Sequence, residues 1–323
     1  MSEKRSRLGW IVAAIVLGGI VPSTAAETYP TRPIRLVVGF LAGGPTDVPA
    51  RFIADLLSSQ LGQKVFVENK PGAGGMIALN DVLSQPRDGY NLQFCTYFDA
   101  INTLLHKNVS YKLTDIAPVT LASKYYYLMA LAKSVPVDTF DEFIRYAKAH
   151  PEGILYGTVG AGSTQELVAH ELEKTAGIKM TKVPFKGSNE ITQEMLAGRI
   201  HFQVGPPIVI GPFYESGELK VLAVTSPQRL ESFPQIPTLT ERGFALTPFG
   251  WLGVCAGAGT PKPIIDLLNR HIVSIVQSDE YRKFMEKAGN IPIATTPEEF
   301  GRVLIQTVRD AAPYIREFKM QIE

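Results

Sequence analysis

The chain has 323 residues, of which 45% are hydrophobic and 20% charged, with a formal net charge of +1. That balance excludes a disordered or fibrous chain, and the length corresponds to about two globular domains. A near-neutral chain is also a poor binder of phosphate backbones, which excludes nucleic acid as the main partner.

At the N-terminus, Lys4, Arg5 and Arg7 precede a 14-residue apolar run from Leu8 to Val21, followed by the small residues Ser23-Thr24-Ala25-Ala26. This is the pattern of a secretory signal peptide, with cleavage expected after Ala26. A membrane-spanning helix needs ~20 apolar residues, so the run is too short for an anchor. No cysteine follows the cut and no later segment is apolar enough to span, so the expected mature chain is soluble in the periplasm with a charge of −1.

After the leader, strand-like and helix-like segments alternate. The strand IRLVVGF leads into a helix over 47–61, KVFVENK into a helix over 76–84, and NLQFCTY closes the first series. In the first helix Phe52, Ile53, Leu56, Leu57 and Leu61 recur at helical spacing, Pro49 lies in the first turn and Gly62 follows the end, with Thr46 or Asp47 as N-cap. A second series begins near Tyr125. It runs YYYLMALA, a helix over 139–149, ILYGTVG, a helix over 164–175, MTKVPF, a helix over 191–197, HFQVG and KVLAVTS. WLGVCAG and two helices over 263–276 and 297–318 end the chain. The alternation predicts α/β architecture with mainly parallel sheets.

Cys95 and Cys255 are the two cysteines, each within a strand-like run where a buried thiol is ordinary. Sequence fixes no distance between them, so a disulfide and two free thiols both stay open. The five histidines are scattered and HELEK at His170 lacks a second zincin histidine, so no metal site or cofactor is predicted.

The stretch VVGFLAGGPTDVPARF, Val37 to Phe52, passes from a strand through glycines into a helix start. About 115 residues later, ILYGTVGAGSTQELVAHEL repeats the arrangement, with Ser163 and Glu166 spaced as a capping box. Such a turn leaves backbone N–H groups unpaired at the positive end of a helix dipole, where small anions bind without lysine or arginine. Two facing loops could hold one carboxylate ligand between closing lobes. Each loop taken alone is better explained by tight turn geometry.

Enzyme motifs fail at their essential residues. GTVGAGST (157–164) has serine where a phosphate loop needs lysine, and it lacks the third glycine of a dinucleotide fingerprint. No G-x-S-x-G elbow occurs, and Ser163 and His170 lie roughly two helical turns apart. Asp47 and Glu166 are the only candidates for a general base, so no catalytic residue is assigned.

At these same segments the sequence resembles the periplasmic solute-binding proteins of tripartite tricarboxylate transporters, the Bug proteins. The likeness rests on YPTRPIRLVVGFLAGGPTDVPAR, VFVENKPGAGG, DGYNL, IAPVTL, LYGTVGAGS, VPFKGS, LKVLAVTS, FPQIPTL and GAGTPKP, in that order. The resemblance implies a two-lobed type II periplasmic-binding fold, each lobe a mainly parallel sheet flanked by helices. Lobe 1 would comprise 27–121 and 229–323, and lobe 2 would be the inserted 122–228. It implies capture of a small organic carboxylate in the interlobe cleft, without catalysis, by a monomer that delivers it to permease subunits. Presentation to a sensor and a periplasmic enzyme are the alternatives.

Carried over position by position, the family's ligand residues fall on Phe40, Ala42, Gly43, Thr46, Asp47, Thr96 and Asn102 in the first lobe. In the second they fall on Gly160, Ala161, Gly162, Ser163, Thr164 and Gly205. Asp47 can cap its helix or face the ligand. Glu166 stands where many relatives carry histidine, and Gly205 where they commonly carry an acid, which lowers the expectation of an amino-acid ligand. Tyr97, Phe98, Phe249 and Trp251 are expected at the cleft rim, where they can pack in the core or line a pocket for an aromatic or aliphatic carboxylate.

Overall fold

A computed structural model describes residues 29–321, so the leader expected at 1–26 lies outside the described residues. Among the described residues, eleven strands form two mixed sheets. β1 (Ile34–Val38), β2 (Val65–Asn69) and β3 (Asn91–Thr96) run parallel, and β10 (Phe249–Gly257), β4 (Ile116–Tyr126) and the short β11 (Ile291–Pro292) add to them antiparallel. In the second sheet β7 (Thr181–Pro184), β6 (Leu155–Thr158) and β8 (Phe202–Gly205) are parallel, followed antiparallel by β5 (Leu128–Ala132) and β9 (Leu219–Val224). β5 and β10, the first strands after the two passages between the sheets, are each entered without an α-helical crossover and run antiparallel to both of their neighbours.

Successive strand residues face opposite sides, and here each side meets helices. From β1, Ile34, Leu36 and Val38 join a core with Ile53, Leu57, Leu268 and Ile272, which belong to α1 (Asp47–Leu61) and α8 (Lys262–Gln277). Val37, between them, packs on Ala78 and Val82 of α2 (Met76–Ser84). On the same second face Trp251 and Cys255 of β10 meet Phe300 and Leu304 of α10 (Pro297–Glu317) and Ala100 of α3 (Tyr97–Leu105). In the other sheet Met129 and Leu131 face α4 (Phe140–Ala149) and α5 (Thr164–Ala176), while Leu128 and Ala130 face α6 (Ser188–Leu196) and α7 (Pro207–Glu215). Each fully buried Leu or Ile of these layers stabilises by about 1.5–3 kcal/mol.

Local sequence sets the helix limits. Gly62 at φ 65° and Gly177 at φ 65° supply left-handed C-caps to α1 and α5, and capping boxes Thr139/Glu142 and Thr296/Glu299 start α4 and α10. Helices α3 and α7 fall where the sequence reading assigned no element: α3 takes over from the strand run NLQFCTY at Tyr97, and α7 lies between HFQVG and KVLAVTS. The segment 282–290 belongs largely to α9 (Asp279–Lys287), whose Phe284 stacks on Phe52 at 4.5 Å.

The chain leaves the first sheet after Tyr126 and returns to it at Phe249. β4 stays paired with β10 as far as Tyr126, and Phe233, Ile236, Leu239, Phe244 and Leu246 still pack on the second sheet. The two passages are clasped by Thr225, whose hydroxyl accepts from Tyr127 N at 2.9 Å and donates to the carbonyl of Pro248 at 2.8 Å. Cys95 and Cys255 form a disulfide between adjacent strands, Cα atoms 6.0 Å apart, which decides the question the sequence left open. No helix among the described residues is long and apolar enough to cross a membrane.

Candidate functional site

The glycine loop of the first lobe is shaped by one buried carboxylate. Asp47 Oδ2 accepts from the N–H of Gly43, which sits at φ 72°, and from Arg51 Nε, both at 2.8 Å, and Oδ1 accepts from Asn69 Nδ2 at 2.7 Å. Asn69 also donates to the carbonyl of Phe40 at 3.0 Å, so strand β2 holds the loop from behind. Burial alone would raise the Asp47 carboxyl, but the bonds from Arg51, Gly43 and Asn69 outweigh it and keep the group below the usual carboxylate range. Asp47 is therefore an internal brace at the first position of α1, not a side chain presented to the cleft, and Thr46 occupies the cap without a side-chain bond.

The second loop is braced in parallel fashion. Ser163 Oγ accepts from Glu166 N at 3.4 Å and meets Thr158 Oγ1 at 2.8 Å. Only half of the expected capping box forms, because the buried Glu166 carboxylate lies 3.1 Å from Lys182 Nζ on β7. Glu166 thus neither caps nor faces the cleft.

Between the loops lies a cleft of two compartments. The inner one, of about 120 Å³, is walled by Phe40, Ala42 and Thr46 of the first loop, by Thr96, Tyr97 and Phe98 at the start of α3, and by Tyr125 and Tyr127 at the passage between lobes. Gln165, the Gly187–Asn189 turn at the start of α6 and Pro206 complete it from the second lobe. The outer one, of about 470 Å³, is lined by Asn102, the Gly72–Gly74 turn, Gly160 and Ala161, with His106 and Lys186 among its lining residues. Phe40, Leu41, Phe98 and Val159 line both and stand between them. Phe40 and Phe98 are 5.9 Å apart between ring centroids.

The lobes touch around this cleft. Asn189 Nδ2 donates to the carbonyl of Gly43 at 3.0 Å, and Lys174 of α5 pairs with Glu317 of α10 at 2.5 Å. His170 stacks on Phe318 with centroids 4.8 Å apart. Gly162, at φ 73°, lies so close to Leu105 of α3 that a Cβ there would come within 2.5 Å of Leu105 Cδ2. The geometry is that of a closed two-lobed clamp.

Of the residues expected at the site, Phe40, Ala42, Thr46 and Thr96 meet at the inner compartment, and Phe40, Asn102, Gly160 and Ala161 at the outer. Asn102 donates to the carbonyl of Gly74 at 3.0 Å, and its buried Oδ1 has no partner. Gly43 borders a shallow neighbouring groove with Asn189, and Thr164 lines a cavity on the far side of Tyr97 with Trp251 and Tyr314. Asp47, Ser163 and Gly205 lie behind the walls. At Gly205 a Cβ would come within 2.7 Å of Ile210, so packing leaves no room for a side chain there. Of the four aromatics, Tyr97 and Phe98 reach the cleft. Trp251 is a core residue bonded to Thr307 Oγ1 at 3.0 Å, and Phe249 is exposed at the far cavity.

Sequence reasoning missed Tyr125 and Tyr127 as wall residues, as well as the 187–189 turn. The two tyrosines alternate with Tyr126 along a strand that crosses between lobes, which puts both on one face, and burial raises both phenols above their ordinary value. The 187–189 turn carries its own signal in the KGS of VPFKGS, a glycine before a helix start.

A family model described as "Tripartite tricarboxylate transporter family receptor" matches residues 49–320. Protein BugT of Bordetella pertussis is 31% identical over 309 residues, covering 94% of each chain. A protein of the UPF0065 group from Cupriavidus necator is 32% identical over 312 residues, covering 94% of this chain and 93% of its own. Among solved structures, an R. palustris protein with adipate has a TM-score of 0.86 at 31% identity, covering 89% of this chain and 97% of that one. MatC from Rhodopseudomonas palustris with bound malate has a TM-score of 0.83 at 25% identity, covering 89% of this chain and 100% of its own.

Proposed function

The chain belongs to the tripartite tricarboxylate transporter receptor family, and from that premise we propose that it is a periplasmic solute-binding protein that captures a small organic carboxylate between its lobes. The observation that carries this reading is the inner compartment, whose wall comes from both lobes and faces the starts of α1 and α6. Helix starts offer unpaired N–H groups and the positive end of the dipole, which suits a carboxylate. Relatives solved with adipate and malate support the same ligand class. The captured solute is handed to the membrane subunits of a tripartite tricarboxylate-type transporter, and export rests on the leader read at 1–26.

Binding proceeds without chemistry. The two acids that sequence offers as bases, Asp47 and Glu166, are engaged with Arg51 and Lys182 and are absent from the wall of either compartment.

A thermal-shift screen against mono-, di- and tricarboxylates, on protein stripped of co-purified solute by unfolding and refolding, tests the reading. Ligand at ~100 times its Kd adds about 2.7 kcal/mol of stability, enough to move the midpoint by several degrees. A ligand released chemically unchanged is the expected outcome. No shift across the panel, or turnover of the ligand, overturns it.

A further inference from the structure

The inner compartment is specific in three respects. Its size is close to that of an apolar cavity of ~150 Å³ known to take a benzene ring. Five aromatic rings stand around it: Phe40, Tyr97 and Phe98 from the first lobe, and Tyr125 and Tyr127 from the passage between lobes. Tyr97 and Phe98 meet edge-on at 6.0 Å, as do Tyr125 and Tyr127 at 5.2 Å. Such T-shaped pairs offer both faces and edges, the complements that another ring prefers.

Charge is the second respect. No arginine, lysine or histidine lines this compartment. Its attraction for an anion comes from two helix starts, Pro45-Thr46 before α1 and Gly187-Ser188-Asn189 at α6, joined by the bond from Asn189 to Gly43. Each helix start is worth roughly half an elementary charge and already carries an acid in its first turn, Asp47 paired with Arg51 in α1 and Glu190 in α6, so the two together suit no more than one further carboxylate. Glu190, the one ionisable acid of the wall, is held by the N–H of Lys186 at 3.0 Å and adds negative charge. A second carboxylate in so small a space would be desolvated against the rings with no cation to meet it.

The third respect is confinement. To reach Lys186 and His106 of the outer compartment, a linear dicarboxylate has to pass between Phe40, Leu41, Phe98 and Val159.

We propose that the cargo is a monocarboxylate carrying one six-membered ring, its ring in the box formed by Phe98, Tyr125 and Tyr127 and its carboxylate at the starts of α1 and α6. This rests on the capture reading above and narrows it to one class of ligand.

Calorimetric titration of the stripped protein with benzoate, cyclohexanecarboxylate, adipate and malate tests it. The expected result is binding of at least one ring acid ten-fold or more tighter than adipate or malate. Phe98→Ala is expected to weaken the ring acid ten-fold or more while the unliganded protein keeps a cooperative melt. Should that variant not fold, Phe98→Leu, which keeps bulk and removes the ring, is expected to give the same direction. Tighter binding of adipate or malate overturns the ring assignment and leaves capture of a carboxylate standing. Ring-acid binding that neither Phe98 variant weakens overturns the box. Failure of all four to bind overturns the ring assignment, and failure of a wider carboxylate panel overturns capture as well.

Discussion

The side-chain amide of Asn189 donates to the carbonyl of Gly43 across the mouth of the cleft, 3.0 Å from nitrogen to oxygen, and so ties the start of α6 to the first-lobe glycine loop. Both groups are at the surface, and a bond of this kind contributes on the order of 1 kcal/mol. Asn189→Ala is expected to weaken ligand binding about five-fold through faster release, because the bond forms as the lobes meet. Stopped-flow displacement checks this, and an unchanged release rate counts against a closing role.

Gly162 and Leu105 approach each other closely between the lobes. Gly162→Ala puts a methyl group where Leu105 already lies and forces a left-handed conformation on alanine. The expected loss of affinity is at least ten-fold, about 1.4 kcal/mol, and it exceeds the loss of stability of the unliganded protein. Adding Leu105→Ala to Gly162→Ala is expected to recover part of the affinity. Titration calorimetry on the two variants, beside their melting curves, separates these effects.

Asp99 is fully buried at the start of α3, where it accepts from Thr96 N at 2.6 Å. Burial raises its carboxyl to about 7 in spite of that bond. An acid raised in the folded state stabilises most at low pH. Its contribution is lost as pH rises from about 4, where the unfolded chain ionises, to about 7. Relative to Asp99→Asn, the wild type is expected to lose on the order of 1–4 kcal/mol between pH 5 and pH 8. Urea midpoints at the two values measure it, and parallel profiles sink the idea.

The disulfide between Cys95 and Cys255 links strands 160 residues apart in sequence. Replacing both with alanine is expected to cost about 2–4 kcal/mol, since the cross-link restricts the unfolded chain. Thiol labelling of the denatured, unreduced protein checks the bond itself, and quantitative labelling there rules it out.

The chain's punctuation made much of the fold legible. Pro49 and Gly62 bracket α1, and glycine turns before α1 and α5 announced the two loops of the cleft. α3 went unread because β3 passes into it without glycine or proline. Its only local marks are Thr96 and Asp99, which box its start. α7 carries Pro207, Gly211 and Pro212 and is apolar nearly all round, so no amphipathic period marks it as a helix. At the site, loop glycines could be read but directions could not. Whether Asp47 turns toward ligand or toward Gly43, Arg51 and Asn69 depends on β2, a tertiary neighbour. The same holds for Tyr125 and Tyr127, whose place in the wall follows from where β4 leaves the first sheet.

An inner compartment without a fixed cation also has a kinetic consequence. Lysine or arginine in a binding site draws anions from a distance, and that pull is screened as electrolyte rises, with a Debye length of ≈ 10 Å at 0.1 M. Partial charges at helix starts act only over the first turn. Encounter therefore gains little from a cation in this compartment, and holding depends less on the surrounding salt than an ion pair would. A protein built this way gives up speed in dilute water and loses less of its grip as osmolarity rises around it.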